Sequence, residues 1–386
     1  MDKESHSGFY WRIKYSSGPS WRGGESVVSP RLEELCIEIT GQCLMDCVHC
    51  SSSCTPENDI MLSRDKVREL LKDAKLLGAK VIEISGGEPF LHPDLLGIIE
   101  DAKRDFEVRI YTSGYVAKGN KCELGDERLL RLHRLGLDKI IFNVEGATLK
   151  THEKITRTRD SFRSALAGIR SAKKIGIWTG VHFVPMKPNY KELSYIAQLC
   201  AKLEVDELAI LRFVNQGRGN KHENILALSV DEFRDMIDRV IKLKKIYANT
   251  LEIRTGCPLN FCSILDKNNS TAQCKAGMST LLVGFNGNIS LCPAFKHAHT
   301  FTLGNVKENT LAEIWENSPI LASFRELDIQ EIDICNECNF SMTCRGRCVA
   351  QRFYEYGDIS QGPDPMCPIR EGIQALHGTR KLRASR

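Results

Sequence analysis

Six short apolar runs alternate with longer amphipathic segments between about residues 35 and 215, which predicts an α/β fold made of parallel βαβ units. A cysteine-rich loop (43–54) follows the first run and a Gly-rich turn (85–89) follows the second. Both therefore sit at the carboxyl ends of strands, on the face where barrels of this type carry their chemistry. Beyond about residue 250 the periodicity fades and cysteines accumulate. The prediction is a partial, TIM-like (β/α)6 barrel followed by a cysteine-rich C-terminal domain.

The elements follow in order. Residues 1–30, with "SSGPSWRGGES", read as an irregular N-terminal segment. The core is placed at 31–250. "LCIEI" (35–39) reads as the first strand, and "SRDKVRELLKDAKLLG" (63–78) as a helix. Ser63 can cap that helix, Val67, Leu70, Leu71, Ala74 and Leu77 form its apolar stripe, and Gly78 stops it. Further strands are expected at 81–85, 108–112, 139–144, 177–184 and 207–213. Helices are expected near 93–104, 126–135, 160–175, 189–203 and 229–247. "STLLVGFNGNISLCP" (279–293) reads as a hairpin turning at Asn286-Gly287. The C-terminal domain is placed at 251–370, and 371–386 is a basic tail.

The bulk numbers exclude several classes. Hydrophobic residues are 42% and charged residues 26%, an ordinary globular balance. A net charge of +4 is too mild to imply a nucleic-acid partner. No stretch of about 18 apolar residues is present, so no membrane span is expected. The first residues lack the apolar core of a signal peptide, which leads to the expectation of a cytoplasmic protein. In a reducing compartment the 16 cysteines point to metal ligation rather than disulfides. Cys122 and Cys200 stand apart and read as ordinary thiols.

"CLMDCVHCSSSC" places Cys43, Cys47, Cys50 and Cys54 in one loop. Three or four of these thiolates could hold an iron–sulfur cube, and the spacing alone leaves both open. The C-x3-C-x2-C run of Cys43, Cys47 and Cys50, with "SGGEP" (85–89) after the second strand, resembles the radical SAM superfamily. That resemblance spans roughly residues 33–215. It implies a 4Fe–4S cluster with one open iron that binds S-adenosylmethionine, so that Cys54 is not a ligand. It also implies cofactor contacts at Gly86, Gly87, Glu88, Ser113, Asn143, Glu145 and Arg212. Glu88 would take the methionine ammonium, and Ser113 the methionine carboxylate or ribose. Asn143 and Glu145 would reach the ribose, and Arg212 the carboxylate. His49 stands where many members carry an aromatic residue beside the adenine.

The later cysteines resemble the SPASM extension of that superfamily. Cys274, Gly287 and Cys292 are followed by Cys335-x2-Cys338-x5-Cys344-x3-Cys348 and then Cys367. The resemblance implies two auxiliary 4Fe–4S clusters. Cys335, Cys338, Cys344 and Cys367 would hold one, and Cys274, Cys292 and Cys348 the other, with Cys257 or Cys262 as a fourth ligand or an open site. Enzymes of this kind mostly modify peptides or proteins. The leading expectation is therefore oxidative crosslinking or dehydrogenation of a ribosomal precursor peptide. Small-molecule oxidation or epimerisation and sulfatase-maturase-like protein oxidation stand as alternatives, and an iron–sulfur carrier or zinc protein is the competing class. A reductant such as flavodoxin or ferredoxin and a separate leader-binding protein are the implied partners. No residue stands out as a catalytic acid or base.

Overall fold

The first predicted strand lies inside the sheet, paired on both edges. The computed structural model describes residues 30–117, 124–256 and 274–367, except Asp333, Arg345 and Arg347. Strand β1 (Glu34–Thr40) pairs in parallel with β2 (Val81–Gly86) on one side and β8 (Thr280–Val283) on the other. The sheet continues through β3 (Glu107–Thr112), β4 (Lys139–Asn143), β5 (Trp178–Phe183), β6 (Glu207–Ile210) and β7 (Glu252–Thr255), all parallel. Two antiparallel strands, β9 (Asn288–Ser290) and β10 (Thr302–Asn305), extend the β8 edge. The order is β10-β9-β8-β1-β2-β3-β4-β5-β6-β7.

Side-chain alternation divides each strand between two faces. Leu35, Ile37, Ile39, Ile82, Ile84, Val108 and Ile110 are wholly buried in the apolar core. Their neighbours Cys36, Glu83, Arg109 and Tyr111 point the other way and contact one another. Tyr111 on β3 and His182 on β5 bring their rings to 5.0 Å although β4 lies between those strands. The sheet therefore curls, and these polar residues line its concave side. Parallel strands are commonly apolar on both faces. A polar inner wall at this position marks a working surface.

The helices fall near their expected places. Helix α1 (Arg64–Leu76) is capped by Ser63, whose hydroxyl accepts from the Lys66 N–H. It buries Val67, Leu70, Leu71 and Ala74, and Gly78 takes the left-handed conformation beyond its end. Helices α2 (Leu95–Ala102), α3 (Asp126–Arg134), α5 (Ser161–Ile175) and α6 (Leu193–Lys202) fill the other predicted crossovers. Helix α4 (Leu149–Thr156) is an addition that the sequence reading missed. Helix Val230–Ile246 opens with a Ser229–Glu232 capping box.

Two findings differ from the sequence reading. Strand β6 stops at Ile210, not at 213, because the chain turns away and packs Phe213 against Val48, Met186 and Leu226. Arg212 is consequently in a loop. Beyond residue 250, β7 and β8 join the sheet of the preceding strands. The hairpin at 279–293 is present, with Gly287 at φ 87 in its turn. Cys122, Cys257, Cys262 and the tail 371–386 lie outside the described residues.

Candidate active site at the carboxyl ends of the strands

The loop after β1 is gripped from several directions. The Cys43 N–H donates to the Thr55 carbonyl at 3.0 Å, and the Val48 N–H to the Ile155 carbonyl at 2.9 Å. From the turn after β2, the Gly87 N–H reaches Thr40 O and the Glu88 N–H reaches Gln42 O, each at 2.7 Å. A Cβ at Gly87 would lie 2.0 Å from Gln42 O, so only glycine permits this approach. The sequence reading assigned the close approach of Gly86 and Gly87 to a ligand. The nearest backbone to Gly87 is the start of the cysteine loop, at Gln42 and Cys43, and to Gly86 it is β1, at Thr40 and Ile39.

A second grip comes from beyond β6, and sequence reasoning missed it. Arg218 donates from Nε to the Cys47 carbonyl and from Nη1 to the Cys54 carbonyl, both at 2.9 Å, and its own N–H donates to Cys50 O. Gly217 sits at φ +59, and a Cβ there would lie 2.4 Å from Ser51 O. The signal was "QGRGN", an arginine between two glycines past the end of a strand. Arg212 instead pairs with Asp364 at 2.7 Å, both buried, and stacks over Phe233. Its guanidinium thus holds a buried carboxylate of the C-terminal region through Nη1.

The sulfur atoms are not equivalent. Cys43, Cys47 and Cys50 are half-buried, whereas Cys54 is 1% exposed. Burial pushes Cys43 up to about 12 and Cys47 well above the ordinary thiol range. Cys50 is held well below it, first because the Cys54 thiol donates to its sulfur, and Cys54 is raised in consequence. The donor set thus has three accessible thiols with a fourth tucked behind as a hydrogen-bond donor. It fits a cluster held by three cysteines, which leaves one iron for another ligand.

The remaining predicted residues divide into two groups. Glu88 is fully buried; Oε2 accepts from the Ser113 N–H (2.8 Å) and hydroxyl (2.6 Å), and Oε1 from the Thr112 hydroxyl (2.8 Å). Glu88 and Ser113 are therefore brought together, and the carboxylate fixes the turn after β3. Across the site, His49 Nε2 lies 3.2 Å from Glu145 Oε1, and Glu145 Oε2 accepts from the Val184 N–H. Burial works to lower the His49 imidazole, but the charge and the hydrogen bond of Glu145, with the nearby Cys50, together outweigh it and the net shift is upward. His49 Nδ1 has no partner among the described residues. Asn143 ends β4, half-buried.

A further cluster ties this loop to the cysteine-rich region. Lys296, four positions after Cys292, places Nζ 2.6 Å from Glu38 Oε1 and 2.7 Å from Ser52 Oγ. His297 Nε2 lies 2.6 Å from Ser51 O. In that region Cys335 has Cys338 and Cys367 as electrostatic neighbours, while Cys348 has Cys274. Cys292 and Cys348 both act on Tyr354. Burial raises Cys335 and Cys348 to about 12 each. Thiols that resist ionisation alone are converted to thiolates by a bound metal.

Residues 37–200 match the radical SAM superfamily, and residues 274–339 match SPASM, an iron–sulfur cluster-binding domain. The chain carries a radical SAM domain followed by a SPASM domain. Relatives include an AdoMet-dependent heme synthase of Methanosarcina barkeri, 23% identical over 89% of this chain and 98% of the relative. The mycofactocin maturase MftC of Mycobacterium tuberculosis is 26% identical over 89% of this chain and 85% of its own. Among solved structures, Streptococcus suis SuiB bound to precursor peptide SuiA aligns with a TM-score of 0.71 at 17% identity, covering 88% of this chain and 76% of SuiB. The radical SAM and SPASM domains imply S-adenosylmethionine and iron–sulfur clusters as cofactors. No helix among the described residues is long and apolar enough to cross a membrane.

Proposed function

We propose that this radical SAM enzyme oxidatively modifies a peptide, with Cys43, Cys47 and Cys50 holding the cluster that meets S-adenosylmethionine. When bound, that cluster supplies the electron that splits the sulfonium and yields a 5′-deoxyadenosyl radical able to remove hydrogen from a substrate. The residues of the chain prepare the site. Arg218, Gly217 and Gly87 fix the loop carrying the three thiols. Glu88 holds Ser113 and the turn after β3 beside it. The imidazole of His49, oriented by Glu145, presents a flat face for the adenine, and Asn143 lies within the same rim for the ribose. The two groups of later cysteines hold two auxiliary clusters, and a reductant of the flavodoxin or ferredoxin class supplies the electron.

The observation that carries the peptide reading is the inner wall of the barrel. Glu83 bonds Tyr111 and Cys36 and pairs with Arg109, and Glu38 pairs with Lys296. Such a wall exchanges hydrogen bonds readily with backbone amides and polar side chains. A tetrapyrrole calls for a broad, mostly apolar slot, unlike this polar wall. SuiB, solved with a precursor peptide bound, and MftC, named a maturase, support the same reading. The heme synthase, aligned over nearly its whole length, favours a tetrapyrrole as the second reading.

Reduced, iron-loaded protein is to be given S-adenosylmethionine with candidate precursor peptides or with tetrapyrroles. The peptide reading expects 5′-deoxyadenosine release stimulated by peptide, and a peptide mass lower by two hydrogens. Stimulation by tetrapyrrole alone overturns it. Iron near 12 atoms per chain is expected from three clusters, roughly four atoms each.

A further inference from the structure

Helix Val349–Tyr356 carries a residue that its surroundings do not explain. Arg352 is the largest fully buried side chain among the described residues, with no exposed surface. Its Nε, Nη1 and Nη2 all lack a hydrogen-bond partner among those residues. Burying a guanidinium without an acceptor is strongly unfavourable, so a chain retains one only where something anionic meets it. Its electrostatic neighbours are Cys335, Asp364, Cys274 and Cys348. Asp364 is already engaged by Arg212 and by the Met366 N–H. The Nη1 atom lies against Gly346, where even a Cβ would come within 2.8 Å of it. The backbone N–H of Arg352 donates to the Cys348 carbonyl, which locks the helix start beside that cysteine.

We propose that the guanidinium of Arg352 is a donor to the sulfur atoms of the auxiliary clusters, placed between the two groups of cysteines, where it favours the reduced state. This rests on the reading that both groups hold 4Fe–4S clusters. A cluster bound by thiolates is anionic, and each electron it accepts makes it one unit more negative. Five fixed N–H donors and a permanent positive charge stabilise the reduced form more than the oxidised one. The electron comes from the substrate radical during a net oxidation and leaves to an external acceptor, and no proton need move. Cys335 belongs to one group and Cys274 and Cys348 to the other, so one side chain can act on both centres.

The test uses full-length protein loaded with iron and sulfide, as wild type, Arg352→Met and Arg352→Lys, followed by iron analysis and an EPR-monitored redox titration. Arg352→Met is expected to keep its iron while the reduced-to-oxidised ratio of an auxiliary centre at fixed potential falls about tenfold, or about 59 mV for a one-electron couple. Arg352→Lys is expected to fall between. Full iron with an unchanged midpoint in Arg352→Met overturns the inference. Wild-type protein grown with nitrogen-15 arginine gives an independent readout. Pulsed EPR should detect guanidinium nitrogen coupled to a reduced auxiliary centre, and that coupling should vanish in Arg352→Lys. Its absence from the wild type overturns the inference even if Arg352→Met fails to load. Wild-type iron near four atoms per chain would instead remove the auxiliary clusters, and the inference with them.

Discussion

The loop of Cys43, Cys47 and Cys50 is bonded to Ile155, Glu88, Arg218 and His297, residues scattered over the chain. Among the described residues, the backbone of the segment from Cys335 to Cys344 bonds mostly to itself and to Ile332. Cys335 donates to Ile332, Cys338 to Cys335, Ser341 to Cys338 and Cys344 to Phe340. It folds as a short 3-10 turn and a four-residue helix. The first site is thus shaped by the barrel before any metal arrives. The second has the local turns, and its buried Arg352 guanidinium has no hydrogen-bond partner among the described residues. A centre that must admit a cofactor is built on rigid strands. One that is sealed by its own ligands can leave the shaping to the metal.

The largest effect expected from this contrast is that of removing iron. Chelation should speed amide exchange at Cys335, Cys338 and Cys344 roughly a hundredfold, and change it only a few-fold at Cys43 and Val48, read by hydrogen–deuterium exchange. Equal loosening of both regions would break the comparison. Next comes the seam. Arg212→Met leaves Asp364 buried without its charge partner and should cost about 3–5 kcal/mol in chemical unfolding. A cost under about 1 kcal/mol would return Arg212 to the cofactor role that the sequence suggested.

Gly217→Ala should be milder, about 1–3 kcal/mol, and selective. The new Cβ meets Ser51 O, so iron should fall by about four atoms while the later sites stay loaded. Gly357→Ala is the control. It has a similar left-handed backbone (φ +72) with nothing within 4 Å, and should keep all its iron. The smallest effect is expected on the inner wall. Burial, then the neighbouring Glu83 charge, raises the Glu34 carboxyl from about 4.5 to about 7. An acid whose folded value is raised binds more protons folded than unfolded between those values, so stability falls as pH rises through them. Glu34→Gln should remove that fall, gaining about 1 kcal/mol at pH 8 after solvent screening, with iron unchanged in both regions.

Much of the barrel was legible because its strands are short apolar runs with clean punctuation. Ser63, the α1 stripe and Gly78 were each readable locally, and so was the Asn286-Gly287 turn. What was hidden depends on contacts distant in sequence. Nothing in "TLLV" says that β8 pairs in parallel with β1, more than two hundred positions earlier. The end of β6 at Ile210 goes with Phe213 packing away from the sheet, and neither the Arg212–Asp364 pair nor the hold of Arg218 on the cysteine loop could be read locally. Likewise Glu88 was recognisable, but not that both its oxygens are taken by Thr112 and Ser113. The role of Arg352 required knowing that its helix is buried on that side.

The central claim is that the N-terminal cysteines hold a cluster with one iron kept open for S-adenosylmethionine. Mössbauer spectroscopy of the reconstituted protein, before and after S-adenosylmethionine is added, tests it most directly. One iron of the cluster bound by Cys43, Cys47 and Cys50 should change its isomer shift when S-adenosylmethionine is added, while the other clusters do not respond. A spectrum with every iron held by thiolate and sulfide and unchanged by the addition would contradict it.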